Sequence, residues 1–542
     1  MAAPIDLREV AARELEEQSR TRWRAKACAG TACLAAGAGT AIRAMDDEVS
    51  RSHLGHEVRV TRTGCMGLCS KGPLLRMLRR GGAATGYHSV SPESAVEIIH
   101  RHVDGTRPAA GAVLDDGIPF FARQRRIVLE NGGVVDPDRI ESYVAHGGYA
   151  ALEKALTTMT PSRVVEEIRA SGLRGRGGAG YPTAGKWEVL AAAQGGTKFV
   201  VANGDDGDPG ASVGRAVMED DPHRLLEGIA IAAYATGSSR AYIYIRAGYL
   251  RTVERLDRAI REARRRRLLG RQILDTDFSF DVEVRSGAGA FVCGEETALL
   301  ASVEGQRGTP RLRPPYPTER GLWGFPTVVN NVETLANIAP IVTRGAAWFR
   351  SIGIPSSPGT KVLALAGDID NRGIVEVPMG TSLREVVQDI GGGVPEGFLK
   401  AVQTGGPSGG CIPARFLDTP VDFDSLREVG STMGSGSLIV MNDSVSMPAV
   451  AEFFIRFSME ESCGKCVPCR AGTAQMHRLL QKIRAGRGTR QDITVLEQLC
   501  RVVRETSLCG LGQSAPIPVL ATLQHFGSEY DELVNREEVS LG

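Results

Sequence analysis

Residues 171–188 read SGLRGRGGAGYPTAGKWE, and the fold turns on what this glycine-rich stretch is. Two nucleotide fingerprints overlap in it. Gly175, Gly177 and Gly180 satisfy G-x-G-x-x-G, while Gly180, Gly185 and Lys186 satisfy the first part of a P-loop, G-x-x-x-x-G-K. The dinucleotide fingerprint requires a strand running into the turn, but residues 161–172, PSRVVEEIRASG, carry a helical pattern. The P-loop requires Ser or Thr after the lysine, because that hydroxyl holds Mg²⁺; Trp187 stands there. Both standard readings fail on context. The physics beneath them survives, since backbone N–H groups with Arg176 and Lys186 suit an anion. A purely structural glycine loop is the plainer alternative.

The surrounding chain has 542 residues, too long for one core, and at roughly 150 residues per domain it divides into three or four. Hydrophobic residues make up 42%, charged residues 23%, and the net charge is +1, which excludes a disordered or strongly nucleic-acid-seeking chain. No apolar run approaches the ~20 residues of a spanning helix, and the N-terminus lacks a signal-peptide core. The expected location is the cytoplasm. The basic run Arg264 to Arg267 lies in a helical pattern without aromatic platforms, so it reads as a solvated face ahead of a nucleic-acid site.

Periodicity places a helix over residues 1–20, with Leu7, Val10, Ala11 and Leu15 on one face, and a small cysteine-bearing unit from about 25 to 110. A linker, DGTRPAAGAVLDDGIP, follows it. From about 123 to 343, β-branched runs (199–201, 241–245) alternate with long helical patterns (151–170, 223–235), which predicts α/β. Between about 360 and 440, short strands (KVLALAG, GIVEVP, SLIVMN) surround one helix over 382–390, a small α+β module. Beyond Met447 the pattern is helical.

Eleven cysteines in a chain without an export signal do not suggest a disulfide framework. They cluster at both ends. Cys463, Cys466 and Cys469 at i, i+3 and i+6, with Cys509 forty residues on, form the three-plus-one set of a [4Fe-4S] centre, with zinc as the competitor. Cys28-x4-Cys33 and Cys65-x3-Cys69 are two pairs, one for each iron of a [2Fe-2S] centre; zinc or a redox disulfide is the alternative. Cys500, in an amphipathic helical pattern, reads as a core residue.

Five ordered motifs carry a resemblance: GLRGRGGAGYPTAGKW, NGDDGDPGA, SGAGAFVCGEETALLASVEGQRGTPRLRPPYP, GFPTVVNNVETLAN and ESCGKCVPCR. Over about residues 142–526 the chain resembles the NADH-binding flavoprotein subunit of respiratory complex I and of NAD-linked hydrogenases and formate dehydrogenases. With its fused N-terminal cysteine unit it is most similar to the beta subunit of soluble or electron-bifurcating hydrogenases. The resemblance implies a multidomain α/β and α+β fold: an N-terminal helix (1–24), a thioredoxin-like [2Fe-2S] domain (25–110), a Rossmann-like FMN- and NADH-binding domain (111–345), a ubiquitin-like β-grasp domain (346–445) and a helical [4Fe-4S] domain (446–542).

By the same resemblance FMN occupies the glycine cradle. Gly175, Arg176, Gly177 and Lys186 would hold it, with Asn203, Asp205 and Asp206 lining it, Gly294, Glu295 and Glu296 under the rings, and Asn330, Asn331 and Thr334 around the phosphate. Tyr181 and Tyr316 match positions that stack on adenine, Asp208 and Glu296 match acids that contact NADH, and Asp206 and Glu296 are the acids expected at the chemistry. The flavin and nicotinamide themselves carry the reaction, so no protein base is required. Implied partners are a hydrogenase or formate-dehydrogenase-type catalytic subunit and a small [2Fe-2S] subunit, in a hetero-oligomer without a membrane span. The alternatives are a complex I subunit proper and a noncatalytic electron-relay subunit. The pattern departs from the family's at Ser212, Gly214 and Gly248, where Phe, Asp and Glu are usual, and at Asp206, where Glu is.

Overall fold

The computed structural model describes residues 6–106 and 113–534. The helix Leu7–Ser19 starts at Asp6, whose carboxylate accepts the N–H groups of Arg8 and Glu9. Leu7, Val10 and Ala11 pack on the core as the periodicity requires, whereas Leu15 is exposed. Residues 1–5, at the start of the expected helix, lie outside the described residues.

The first sheet holds β1 (Trp23–Cys28), β2 (Val58–Thr63), β3 (Leu75–Arg79), β4 (Ala84–Tyr87) and β5 (Val113–Leu114) in the order β2-β1-β3-β4-β5. Strands β1 and β2 are parallel and the other pairings antiparallel. The stretch expected as a linker thus contributes an edge strand: Val113 and Leu114 pair with Tyr87 and Gly86. Edge pairing satisfies backbone groups that a sequence pattern two residues long cannot announce.

A parallel sheet occupies the middle of the chain: β6 (Phe199–Gly204), β7 (Arg240–Arg246), β8 (Asp281–Gly287) and β9 (Thr327–Asn331), ordered β8-β7-β6-β9. Strands buried on both faces read as continuous apolar runs, as Phe199 to Ala202 do. The helix Pro222–Thr236 is buried along nearly its whole length, and a Cβ on its Gly228 would lie 2.1 Å from the Leu335 carbonyl oxygen. The helical pattern of 151–170 is two helices, Ala150–Thr158 and Pro161–Ser171, because Pro161 opens the second behind its cap Thr160. All four arginines of the basic run are paired, Arg264 with Asp281, Arg265 with Glu262, Arg266 with Glu141 and Arg267 with Asp275.

A two-stranded ribbon, β10 (Gly353–Ile354) and β11 (Ser357–Pro358), leads into a third sheet of β12 (Thr360–Gly367), β13 (Gly373–Pro378), β14 (Leu399–Thr404), β15 (Cys411–Pro413) and β16 (Ser437–Asn442). Its order is β13-β12-β16-β14-β15, with the central pair β12 and β16 parallel. The single helix expected over 382–390 is a π-helical turn, Glu385–Ile390. Four long helices, Met447–Glu460, Thr473–Arg484, Arg490–Thr506 and Ile517–Val534, close the fold around Ile455, Leu480, Leu496 and Cys500. No helix among the described residues is long and apolar enough to cross a membrane.

Candidate functional site

Chain order runs β6, β7, β8 to one side of the parallel sheet, and β9 returns to the other side of β6. The direction of travel reverses between β6 and β9, and in open α/β sheets ligands bind outside the carboxyl ends of the strands at that point. Asn203 and Gly204 end β6, and Asn330 and Asn331 end β9. A cavity of about 420 Å³ opens there.

Of the residues expected at the site, Gly177, Asn203, Asp205, Asp206, Asp208, Gly294, Glu295 and Asn331 line this cavity. The glycine-rich stretch forms one wall. It is a closed loop between two helices, pinned where Gly175 N–H meets the Tyr181 carbonyl at 2.8 Å and Thr183 N–H meets that of Leu173 at 3.0 Å. Gly178 has φ +122°, a conformation that side chains rarely adopt, and a Cβ there would lie 3.1 Å from the Gly434 Cα. Asn331 caps the helix Val332–Ala336 through Glu333 N–H, and Glu295 caps Glu296–Val303 through Thr297 and Ala298 N–H.

Asp205 is 2% exposed, and neither of its oxygens has a hydrogen-bond partner. Arg246 Nη2 stands 3.6 Å away. Burial pushes the Asp205 carboxyl up to about 7, with Arg246 opposing. Asp208 is pushed up to about 6 by burial, although the Ser435 hydroxyl donates to it.

Arg176 and Thr334, also expected at the site, are buried and do not line the cavity. Arg176 is fully buried and its guanidinium donates to the carbonyls of Pro358, at 2.6 Å, and Arg174, at 3.2 Å. The side chain expected to hold an anion ties the loop to β11. Thr334 accepts the Arg176 N–H at 2.8 Å, anchoring the same loop. Trp187, in the place a P-loop gives to a hydroxyl, is buried and donates its indole N–H to Asn330 at 2.9 Å. Asp206 caps the helix Val213–Asp220, accepting from Gly214 and Arg215 N–H at 3.2 and 3.0 Å, so its carboxylate is turned into a backbone contact.

Lys186, Glu296 and Arg313 form a separate charged group. Lys186 donates to Glu296, and Arg313 lies 3.9 Å from Glu296 and 4.0 Å from Glu295. The Lys186 ammonium sits 6.0 Å from the Tyr181 ring centroid. Tyr181 and Tyr316 are 56% and 53% exposed.

Sequence reasoning missed the opposite wall. Gly405, Ser408, Thr432, Gly434 and Ser435 come from the connections after β14 and before β16, and Phe291 from the turn before Glu295. The stretch GGPSGG at 405–410 was the available signal, since so dense a glycine run marks a close backbone approach.

The cavity's last wall is Gly510, Leu511 and Ser514, directly after Cys509. Cys463, Cys466, Cys469 and Cys509 share one cluster with Val292, Cys293 and Tyr244 behind the cavity. Burial pushes the Cys469 thiol up to about 11, with Cys466, Cys509 and Cys463 adding to the rise. A Cβ on Gly512 would lie 3.0 Å from that of Cys469, so the two cysteine segments meet only over glycine. Arg307 donates to the Cys463 carbonyl at 2.9 Å, Lys465 to that of Pro310 at 2.6 Å, and Phe291 N–H to Glu461 at 2.6 Å, which fastens the segment to the parallel-sheet unit.

Cys28, Cys33, Cys65 and Cys69 also converge. Cys65 and Cys69 sulfurs lie 3.8 Å apart, and hydrogen bonds from Cys33 and Cys65 hold the Cys28 thiol below its ordinary range. Asp220, at the end of the helix capped by Asp206, accepts the Cys65 N–H at 2.7 Å, and Glu219 accepts the Thr31 hydroxyl. No three His, Cys, Asp or Glu among the described residues are arranged to hold a single metal ion.

A glycine-walled cavity at a topological switch point, flanked by a thiol set of which Cys469 and Cys509 are buried, is the arrangement of a nucleotide-binding α/β protein. The Nuo51 FMN-binding domain model matches residues 168–340, and the NADH-ubiquinone oxidoreductase-F iron-sulfur binding region matches 449–533. NADP-reducing hydrogenase subunit HndC of Solidesulfovibrio fructosivorans is 50% identical over 414 residues, 76% of this chain and 84% of that protein. An NADH-quinone oxidoreductase subunit of Rhizobium meliloti is 46% identical over 405 residues, 74% of this chain and 96% of that protein. An NAD+-reducing [NiFe]-hydrogenase structure in the H2-reduced state covers 98% of this chain and 91% of its own, with a TM-score of 0.67 at 28% identity. The chain belongs to the family of FMN-binding iron–sulfur flavoprotein subunits that includes these hydrogenase and NADH-quinone oxidoreductase relatives.

Proposed function

We propose that the chain is the NADH-oxidising, diaphorase subunit of a multisubunit hydrogenase or formate-dehydrogenase-type complex. The observation that carries this reading is one cavity whose walls are the glycine loop, the acids after β6 and the segment following Cys509. The residues fit an FMN: glycines 178, 405 and 434 let the walls close with backbone exposed, since a Cβ on each would meet protein at 3.1, 2.3 and 2.4 Å, and the Asp205 carboxyl is a buried acceptor without a hydrogen-bond partner. FMN supplies the exchange between a two-electron hydride donor and one-electron carriers.

The side chains orient and insulate. Gly177 to Ala179 and Asn331 would hold the cofactor's polar end, Asp208 and Glu295 face the cavity, and the exposed rings of Tyr181 and Tyr316 would stack on adenine. Phe291 and Val292 line the cavity and belong to the same apolar cluster as the thiols. Cys463, Cys466, Cys469 and Cys509 would hold a [4Fe-4S] cluster, thiol sulfur being the donor such clusters take. Cys28, Cys33, Cys65 and Cys69 would hold a [2Fe-2S] cluster; two pairs, one with its sulfurs 3.8 Å apart, support this.

The domain reading is part of the proposal. The β2-β1-β3-β4 order with β3 antiparallel to β1 supports a thioredoxin-like unit, and the β13-β12-β16-β14 order with a parallel central pair supports a β-grasp unit. A catalytic subunit and a small [2Fe-2S] subunit are the proposed partners.

Asp206 favours a second reading. Its carboxylate is engaged by helix N–H groups, which fits a relay subunit that has lost NADH turnover. Anaerobic titration of the purified chain with NADH, following flavin bleaching and cluster reduction together, decides between them. Bleaching with a reduced cluster establishes the diaphorase; clusters reducible by dithionite, with flavin untouched by NADH, establish the relay.

A further inference from the structure

Lys361 and Glu333 form an ion pair whose side chains are 0% and 1% exposed. Lys361 stands on β12 and Glu333 on the helix Val332–Ala336, so the pair joins the third sheet to the parallel-sheet unit. Every donor of the ammonium is used: Nζ donates to Glu333 Oε2 and, at 3.0 Å each, to the carbonyls of Val362 and Ser435. The other Glu333 oxygen accepts the Val362 N–H at 2.9 Å.

Ser435 then reaches the cavity. Its hydroxyl donates to Asp208 Oδ2, and its N–H points to the same oxygen at 3.4 Å. Its neighbour Gly434 is wedged between the glycine loop and Gly405: a Cβ on Gly434 would lie 2.4 Å from the Gly405 Cα, and one on Gly178 would lie 3.1 Å from the Gly434 Cα. Gly434, Ser435, Gly405 and Asp208 all line the cavity. A wall packed this closely transmits displacement, because interiors have few voids to absorb it.

Burial of two charges is a weak source of stability, since an apolar pair of the same volume performs as well. What a buried ammonium with three fixed acceptors supplies is geometry. We propose that Lys361 is a positioning residue, which through the Ser435 carbonyl sets the wall formed by Gly434 and Ser435 and the orientation of Asp208 in the nucleotide cavity. The proposal rests on the cavity being the FMN and NADH site. Glu333 holds the ammonium in place, and the third sheet becomes part of the nucleotide site.

The test uses the full chain carrying Lys361→Met with Glu333→Gln, a neutral pair of similar size that leaves no buried charge unpaired. Three quantities are read: backbone hydrogen exchange over residues 430–437, FMN affinity of the deflavinated chain by quenching of flavin fluorescence, and KM and kcat for NADH with an artificial acceptor dye. Loss of the Ser435 tether should speed exchange in that segment and raise the NADH KM by about tenfold each, with kcat changed by less than about threefold. A folded double variant with unchanged exchange and unchanged KM overturns the proposal. Should circular dichroism show that variant unfolded, Lys361→Gln with Glu333→Gln decides, a neutral pair that can keep a hydrogen bond between the two side chains: faster exchange over 430–437 with a raised KM supports the proposal, and both unchanged overturn it. An unsubstituted chain that binds neither FMN nor NADH sinks the functional reading instead, while the exchange comparison still reports on the wall.

Discussion

Asp206 and Gly214 are fitted to each other: the carboxylate lies against the backbone of Gly214, where an added Cβ would meet its Cγ at 3.2 Å and its Oδ1 at 3.3 Å. Two of the departures from the family pattern are thus one feature. A shorter acid reaches the N-terminus of the helix Val213–Asp220 because the residue it approaches has no side chain. Arg215, without an aspartate at 214 to pair with, lays its guanidinium 5.2 Å from the Tyr249 ring centroid, and the Tyr249 hydroxyl donates to the Asp206 carbonyl at 3.2 Å.

Gly214→Asp would bring a second carboxylate against Asp206, and like charges in a buried site are unfavourable. The single substitution should cost about 1–3 kcal/mol of stability. Adding Asp206→Glu, which restores the usual pair, should return part of the loss. Chemical denaturation of the four members of this cycle measures the coupling; additive effects would show that the two positions do not interact.

Gly178→Ala should weaken flavin binding by about tenfold or more, because the methyl group meets Gly434 backbone and φ +122° strains any side chain. Fluorescence titration of the deflavinated chain with FMN measures it. Unchanged affinity would place the flavin elsewhere.

The two thiol sets should be separable. Cys469→Ser should abolish the EPR signal of a reduced [4Fe-4S] cluster, while Cys65→Ser abolishes that of a [2Fe-2S] cluster, each sparing the other and the flavin. Loss of zinc in place of iron from either variant, read by metal analysis, would reassign that set.

Asp205 predicts a pH dependence for the cofactor-free chain. Its carboxyl titrates near 7 when folded and near 4 when unfolded, so between these values the folded chain holds a proton that the unfolded chain has lost. Relative to Asp205→Asn, the stability contribution is complete below about pH 4, declines as pH rises through about 7 and is flat above. Urea midpoints at about pH 4.5 and 8.5 should therefore differ more for the unsubstituted chain than for the variant, by up to a few kcal/mol in stability. Equal differences would mean that Asp205 finds a partner in solution.

Much of this protein was legible in the sequence by itself. The helical pattern before Gly175 and the tryptophan at 187 ruled out both standard phosphate loops, and the structure has a loop between two helices with that indole buried on Asn330. Strand and helix periods marked β6, β7, β12, β13 and β16, because burial on one face or two leaves its signature in local order. Cysteine spacing marked both thiol sets, and Gly177, Asn203, Asp205, Asp208 and Glu295, distant in the sequence motifs, line one cavity.

Only the tertiary structure decided which way those side chains act. Arg176 carries the charge expected of an anion cradle, and its guanidinium donates to the Pro358 carbonyl; Asp206 carries the acid expected at the chemistry, and it accepts helix N–H groups. Ser435 gives no sign of its role until β16 and β12 bring it, 227 residues along the chain, onto Asp208. Residue types and short spacings are written in the local sequence, because secondary structure and ligand sets obey local rules. The partner of a buried polar group is set by which distant segments pack together, and that is a property of the whole fold.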